Sequence, residues 1–163
     1  MANNDILFHT PAGIFSYRVG GILIRDGKVL LQRPPGDPGY AIPGGHVSFG
    51  ETSQDALARE FKEETGADIR LIRLFCVGEN FFPWGEQRCH QIHLYFLVEL
   101  CDETQIPVDR TFYAYDELEH QRVHLEFSWI PLASLDTITV YPMFLGEKLR
   151  HLTDGVELLV YRE

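Results

Sequence analysis

Glu60, Glu63 and Glu64 fall close together near the end of a stretch that reads as a helix from Thr52 to Thr65. At about 100° per residue, Glu60 and Glu64 lie about 40° apart, and Glu63 falls about 60° to the other side of Glu60. The three carboxylates therefore share one stripe, while Leu57 and Phe61 take the neighbouring stripe and can face a core. Like charges at these spacings destabilise an isolated helix by a few tenths of a kcal/mol per pair. The helix dipole adds to the penalty, because negative charge is disfavoured in the last turns. A hard divalent cation removes both penalties: Mg²⁺ prefers oxygen ligands and reverses the local charge. Alone, a Glu-rich helix end is more often a solvated face. The residues around this one carry a more specific pattern.

The elements that must position the carboxylates can be read on either side. Thr52 or Ser53 caps the helix and Gly66 ends it. Tyr17 to Ile24 reads as a strand, Asp26-Gly27 as a two-residue hairpin turn, and Lys28 to Gln32 as the returning strand. Pro34 to Gly39 is dense in breakers and reads as loop. Ala41 to Val47 can form one short strand interrupted by Gly44-Gly45. Further strands are expected over Ile69 to Gly78, Gln91 to Leu100, Phe127 to Ile130 and Val156 to Tyr161, with a second helix from Pro142 to Arg150. Strands and helices that do not alternate as βαβ units point to an α+β sandwich.

Gly45, five residues, Glu51, seven residues, then Arg59-Glu60-Phe61-Lys62-Glu63-Glu64-Thr65-Gly66-Ala67 resembles the complete Nudix box, with Pro43-Gly44-Gly45 leading into it. Two bulky aliphatic positions of that box hold Phe61 and Ala67 instead. The Phe127 to Leu132 segment, the opening strands and the closing helix extend the resemblance to most of the chain. It implies the Nudix fold, a mixed β sheet sandwiched between helices, as one domain over residues 1–163. It also implies a Mg²⁺ or Mn²⁺ site, with Glu60 and Glu64 as principal ligands, Glu63 next and Gly44 donating a carbonyl. Arg59 and Glu51 would pair to hold the loop against the helix.

The implied reaction is hydrolysis of a phosphoanhydride bond in a nucleoside triphosphate, ADP-ribose or a nucleotide sugar. Candidates for the general base are Glu63, the stretch Asp116-Glu117-Leu118-Glu119, and Glu126 ahead of the Trp129 strand. Arg18, Arg33 and His46 are candidates for phosphate contact. Trp84, in Phe81-Phe82-Pro83-Trp84, is a candidate platform for a base. The alternative is a non-catalytic Nudix-fold module that binds a nucleotide or ADP-ribose to regulate something else.

With 24 acidic residues against 14 basic ones, a net charge of −10 argues against a nucleic-acid polymer as partner. No apolar run reaches the ~20 residues that span a bilayer, and the first residues lack a signal-peptide pattern. A cytoplasmic protein is expected, with no membrane partner and with a homodimer left open. Cys76, Cys89 and Cys101 lie far apart and are expected to be buried free thiols. His90 and His93 would lie on opposite faces of a strand, which argues against a shared metal.

Overall fold

The computed structural model describes residues 4–118 and 121–163, the side chains of 116–121 excepted. Its strands are β1 (Leu7–Thr10), β2 (Gly13–Arg25), β3 (Lys28–Arg33), β4 (Gly39–Ala41), β5 (Gly44–His46), β6 (Ile69–Trp84), β7 (Gln87–Leu100), β8 (Phe112–Leu118), β9 (Gln121–Pro131), β10 (Thr139–Tyr141) and β11 (Glu157–Arg162). Helix α1 (Ser53–Thr65) follows β5, a 3₁₀ turn (Leu132–Thr137) follows β9, and helix α2 (Phe144–Arg150) precedes β11. No helix among the described residues is long and apolar enough to cross a membrane.

The strands form two half-sheets joined at the β2–β3 hairpin. Asp26 and Gly27 both adopt positive φ, 50° and 71°, as the tight turn requires. Beyond Ile24↔Val29 the two strands part company. The first half-sheet runs β11-β6-β7-β2, with β7 parallel to β2, and β1 and β5 on the free side of β2. The second half-sheet holds β10, β4, β3, β9 and β8.

The expected single strand from Ala41 to Val47 is thus two strands in different half-sheets, and the break falls at Ile42-Pro43 instead of Gly44-Gly45. Pro43 has no N–H to give a ladder, while its carbonyl accepts from Gly21 N at 2.8 Å. The chain crosses between the half-sheets there. Strand β8 covers 116–118 of the stretch Asp116 to Glu119 that offered general-base candidates, while Glu119 lies outside the described residues.

Helix α1 begins at Thr52, whose hydroxyl accepts from Asp55 N, and ends at Gly66 in the left-handed conformation, whose N–H returns to Lys62 O. Its apolar side, Ala56, Leu57 and Phe61, is buried with Val19, Leu23, Phe96 and Val98 of the first half-sheet. Phe61 is a large ring for a position this close to a sheet. It fits because Gly21 carries no side chain: a Cβ there would lie 2.6 Å from the ring. Ala67 is fully buried in the same cluster. A second cluster lies under α2 and the 3₁₀ turn, built from Ile22, Leu31, Phe75, Leu135, Leu145 and Leu149. Cys76 and Cys89 are buried, as expected, but Cys101 is exposed, because it falls just past the end of β7.

Candidate active site

The turn between β5 and α1 is organised by one guanidinium. Arg59 Nε and Nη2 meet Glu51 Oε1 and Oε2 at 2.7 and 3.0 Å, a two-pronged pairing, and Nη2 also reaches the His46 carbonyl at 3.1 Å. Glu51 Oε2 accepts in addition from Ser48 N at 3.1 Å. The hydrogen bonds from Arg59 hold the Glu51 carboxyl below the usual carboxylate range, and Glu51 in turn holds the Arg59 proton more firmly. This network ties the loop to the helix across more than a helical turn. Because the loop carries β5, it also fixes where Gly44 and Gly45 stand relative to α1.

Gly45 faces the helix, and its missing side chain is the space that the Glu60 carboxylate occupies. A Cβ at Gly45 would lie 2.2 Å from Glu60 Cδ and 2.3 and 2.5 Å from its two oxygens. Glu60 and Glu64 are each only 7% exposed, and burial of two acidic side chains one turn apart is costly unless something compensates it. Arg59 Nη1 supplies part of that compensation to Glu60 at 2.8 Å and also touches Glu63 at 3.2 Å. Glu63 is the exposed member of the three, with its side chain 60% open. The donor set is all carboxylate and backbone oxygen, the chemistry of Mg²⁺ or Mn²⁺. Among the described residues the three carboxylates do not converge as a ready ligand cluster. Arg59 Nη1 meets Glu60 at Oε1, so a cation bound through that oxygen would displace it and leave Arg59 with Glu51 as its principal partner.

The remaining candidates are distributed differently. A cavity of about 320 Å³ opens between the half-sheets, lined by Arg18, Ile42, Asn80, His93, Tyr95 and Tyr141 among others. Arg18 lines it, as a phosphate or substrate contact would. Arg33 does not: it lies over the Tyr40 ring at 4.5 Å, donates to Asp37 O at 3.0 Å, and pairs with Glu126 through Nε and Nη2, both at 3.0 Å. Arg33 and Glu126, two separate candidates in the sequence, are register partners in β3 and β9 and engage each other. His46 is buried against Ser16 Oγ at 3.0 Å. Burial, with Arg18 nearby, pushes its pKa down to about 3, so it is neutral and cannot serve as a cation toward phosphate. Trp84 stacks on Phe82 with centroids 6.3 Å apart, and it is Phe82 that lines the cavity. His90 and His93 do face opposite ways: one is exposed beside Glu79, the other buried.

Asn80, Gln91 and Tyr95 were not singled out in the sequence, and His93 was weighed only as half of a metal pair with His90. Their signal was present, since Gln91, His93 and Tyr95 alternate along β7 on its buried face, where polar side chains require a reason.

A family model described as the NUDIX domain matches residues 15–148. An ADP-ribose pyrophosphatase of Methanocaldococcus jannaschii is 36% identical over 85 residues, covering 50% of this chain and 49% of that protein. An RNA pyrophosphohydrolase of Halorhodospira halophila is 33% identical over 103 residues, covering 55% and 57%. The chain thus spans about half the length of these curated relatives. Among solved structures, a NUDIX hydrolase from Nitrosomonas europaea superposes with a TM-score of 0.59 at 20% identity, over 93% of this chain and 81% of that one. A MutT NUDIX hydrolase from Burkholderia pseudomallei gives 0.58 at 23% identity, over 85% and 98%. At those identities the structures speak for the fold, and the mixed half-sheets with flanking helices agree with it. With the box folded as loop, helix and loop inside a family match covering most of the chain, this protein belongs to the Nudix family.

Proposed function

We propose that the chain is a divalent-cation-dependent hydrolase that cuts a phosphoanhydride bond in a compound built on a nucleoside diphosphate. The observation that carries this reading is the space at Gly45, filled by a buried Glu60 carboxylate and bounded by Glu64 on the same helix stripe. Glu60, Glu64 and Glu63, with the Gly44 carbonyl, would hold Mg²⁺ or Mn²⁺. When bound, the cation lowers the pKa of water and neutralises charge on the phosphate oxygens.

The chain's own residues supply the rest. A water oxygen forms a bond to phosphorus, the bridging P–O bond breaks towards the leaving phosphate, and the water's proton passes to a carboxylate. We assign that carboxylate to Glu63 rather than Glu126. Glu63 is open to solvent and carries a single contact from Arg59, whereas Glu126 is occupied by two nitrogens of Arg33. Arg59 and Glu51 act as positioning residues that keep Gly45 against Glu60. The cavity beside Arg18 takes the nucleoside part. Nucleoside triphosphates, nucleotide sugars and ADP-ribose fit the reading, the last favoured by the name of the Methanocaldococcus relative.

The test is a panel of these compounds with the purified protein, scoring phosphate, pyrophosphate or mononucleotide released. Turnover should require Mg²⁺ or Mn²⁺ and stop with excess chelator. Calcium should bind with little turnover, because its looser coordination positions water less strictly. Full turnover in chelator refutes the metal site. Tight nucleotide binding with no hydrolysis under any cation would make the protein a binding module instead.

A further inference from the structure

Strand β11 is the last strand of the first half-sheet, and among the described residues no strand pairs its outer edge. Its inner edge is taken by a parallel ladder with β6, in which Glu163 N donates to Phe81 O at 2.9 Å. Backbone groups alternate in direction along a strand, so the odd-numbered residues turn N–H and C=O to β6, and 156, 158, 160 and 162 turn theirs outward. An open edge is a template for another strand, and proteins commonly blunt it with proline, lysine or a bulge. Residues 157–162 contain neither proline nor lysine, and their register with β6 is unbroken.

The side chains alternate as well. Leu159 packs in the cluster under α2 and Tyr161 lines the cavity, so the residues between them face the other way. On that other face Val156, Leu158 and Val160 are 56%, 66% and 55% exposed. Asp154, in the bend ahead of the strand, and Arg162, at its end, are exposed on either side of them. Every second residue thus reads Asp154, Val156, Leu158, Val160, Arg162, apolar in the middle with opposite charges at the two ends. Turned end for end, the row complements itself in both charge and hydrophobicity.

We propose that β11 pairs antiparallel with β11 of a second copy of this chain, about a two-fold axis at Leu158, joining two half-sheets into one. Leu158 then faces Leu158 of the second copy, Val156 faces Val160, and Arg162 comes to Asp154 at both ends. The outward backbone groups of 156, 158 and 160 become the hydrogen-bonded pairs. Glu157 faces Leu159 of the second copy and keeps its hydrogen bond from Lys148 at 2.8 Å. Neighbouring registers that leave each face on its own side are worse. One sets Arg162 against Val156; the next sets it against Leu158 and brings Glu157 to Glu163 of the second copy. The shift the other way sets the two Glu157 side chains against each other. A contact of this kind is isologous and stops at two copies, because it uses the open edge of both.

The experiment is sedimentation equilibrium of the whole chain over a concentration series, where the 18.7 kDa species should pass to twice that mass. Leu158→Lys sets two ammonium groups against each other at the axis and should leave single chains. Arg162→Asp opposes carboxylates at both ends and should weaken association at least about tenfold. Adding Asp154→Arg to it should restore the parent affinity, which residues serving only the fold of one chain would not do. The register is read by oxidation in a Cys101→Ser background, which removes the exposed thiol. Leu158→Cys should form a covalent dimer, because Cα atoms opposite in a hydrogen-bonded pair lie about 5.5 Å apart, within disulfide reach. Val160→Cys, which faces Val156 of the second copy, should not. The mass of a single chain at every concentration overturns the proposal, as does a dimer that survives Leu158→Lys. Cross-linking through Val160→Cys and not Leu158→Cys overturns it too.

Discussion

Replacing Gly45 with alanine probes the cradle directly. The added methyl would lie 2.2 Å from Glu60 Cδ, roughly 1.3 Å short of the ~3.5 Å at which carbon atoms meet comfortably. Gly45 cannot retreat easily, because β5 is paired with β2 at Val19. Glu60 is held by Arg59 Nη1 on a helix whose other side is packed in the core. The strain of such overpacking is about 1–3 kcal/mol, or a Tm lower by about 2–12 °C for a chain of this size. The displaced carboxylate should weaken Mg²⁺ or Mn²⁺ binding, and a misplacement of about 1 Å costs on the order of 10² in turnover. Thermal melts, cation titration and kcat on one good substrate measure all three. Adding Glu60→Asp, which shortens the side chain by one methylene, should recover much of the Tm without recovering turnover. If Gly45→Ala melts, binds cation and turns over like the parent, then Glu60 does not depend on that space and the site has been misread.

Other outcomes follow from the same structure. Glu64→Gln keeps shape while removing a charge that is 7% exposed, so turnover should fall by orders of magnitude with Tm unchanged or raised; wild-type turnover in the folded variant would place the metal elsewhere. For His46, the unfolded chain takes up a proton near pH 6.5 and the folded one only near 3, so stability is full above 6.5 and falls as the solution is acidified through that window. The loss is about 1.4 kcal/mol per pH unit, or about 2 kcal/mol at pH 5, and His46→Gln should flatten the slope of unfolding free energy against pH by about one proton. An unchanged slope would show that His46 ionises normally. Phe82→Ala should raise KM for compounds with a base, by about 1–3 kcal/mol of lost stacking, while base-free pyrophosphate compounds are unaffected. An equal effect on all substrates would assign Phe82 to packing.

What could be read from the sequence was local. The stripe of Glu60, Glu63 and Glu64, the Thr52 and Gly66 caps and the Asp26-Gly27 turn all depend on residues within a few positions of one another. The failures have a common origin in pairings between distant segments. Arg33 and Glu126 meet because β3 and β9 are in register, 93 residues apart in the chain. The step at Ile42-Pro43 looks like one strand until the two half-sheets separate on either side of it. Strands β6 and β7 run beyond their apolar cores because each completes the other's ladder out to Trp84↔Gln87, so Phe81 to Trp84 is the end of a strand and not a free aromatic loop. The cavity wall was hidden for a related reason. Asn80 and His93 look like ordinary strand polars until the fold shows that their face is the buried one.

The parallel contact between β2 and β7 also decides the order of assembly. Its ten registered pairs, from Ile14↔Cys89 to Leu23↔Val98, join positions 75 apart, so closing it carries a large loop entropy. The β6–β7 hairpin has no such handicap and can zip from its own turn. Helix α1, at 13 residues, is short enough to be marginal alone in water, and its acidic stripe makes it weaker still. Val19 and Leu23 of β2 precede it, but Phe96 and Val98, which complete the same cluster, are made more than thirty residues after it. During synthesis the box therefore meets the β2 side of its bed first and gains the β7 side only once that strand has been made. A chain released before Leu100 would carry every carboxylate of the site on a bed that β2 has begun and β7 has not completed.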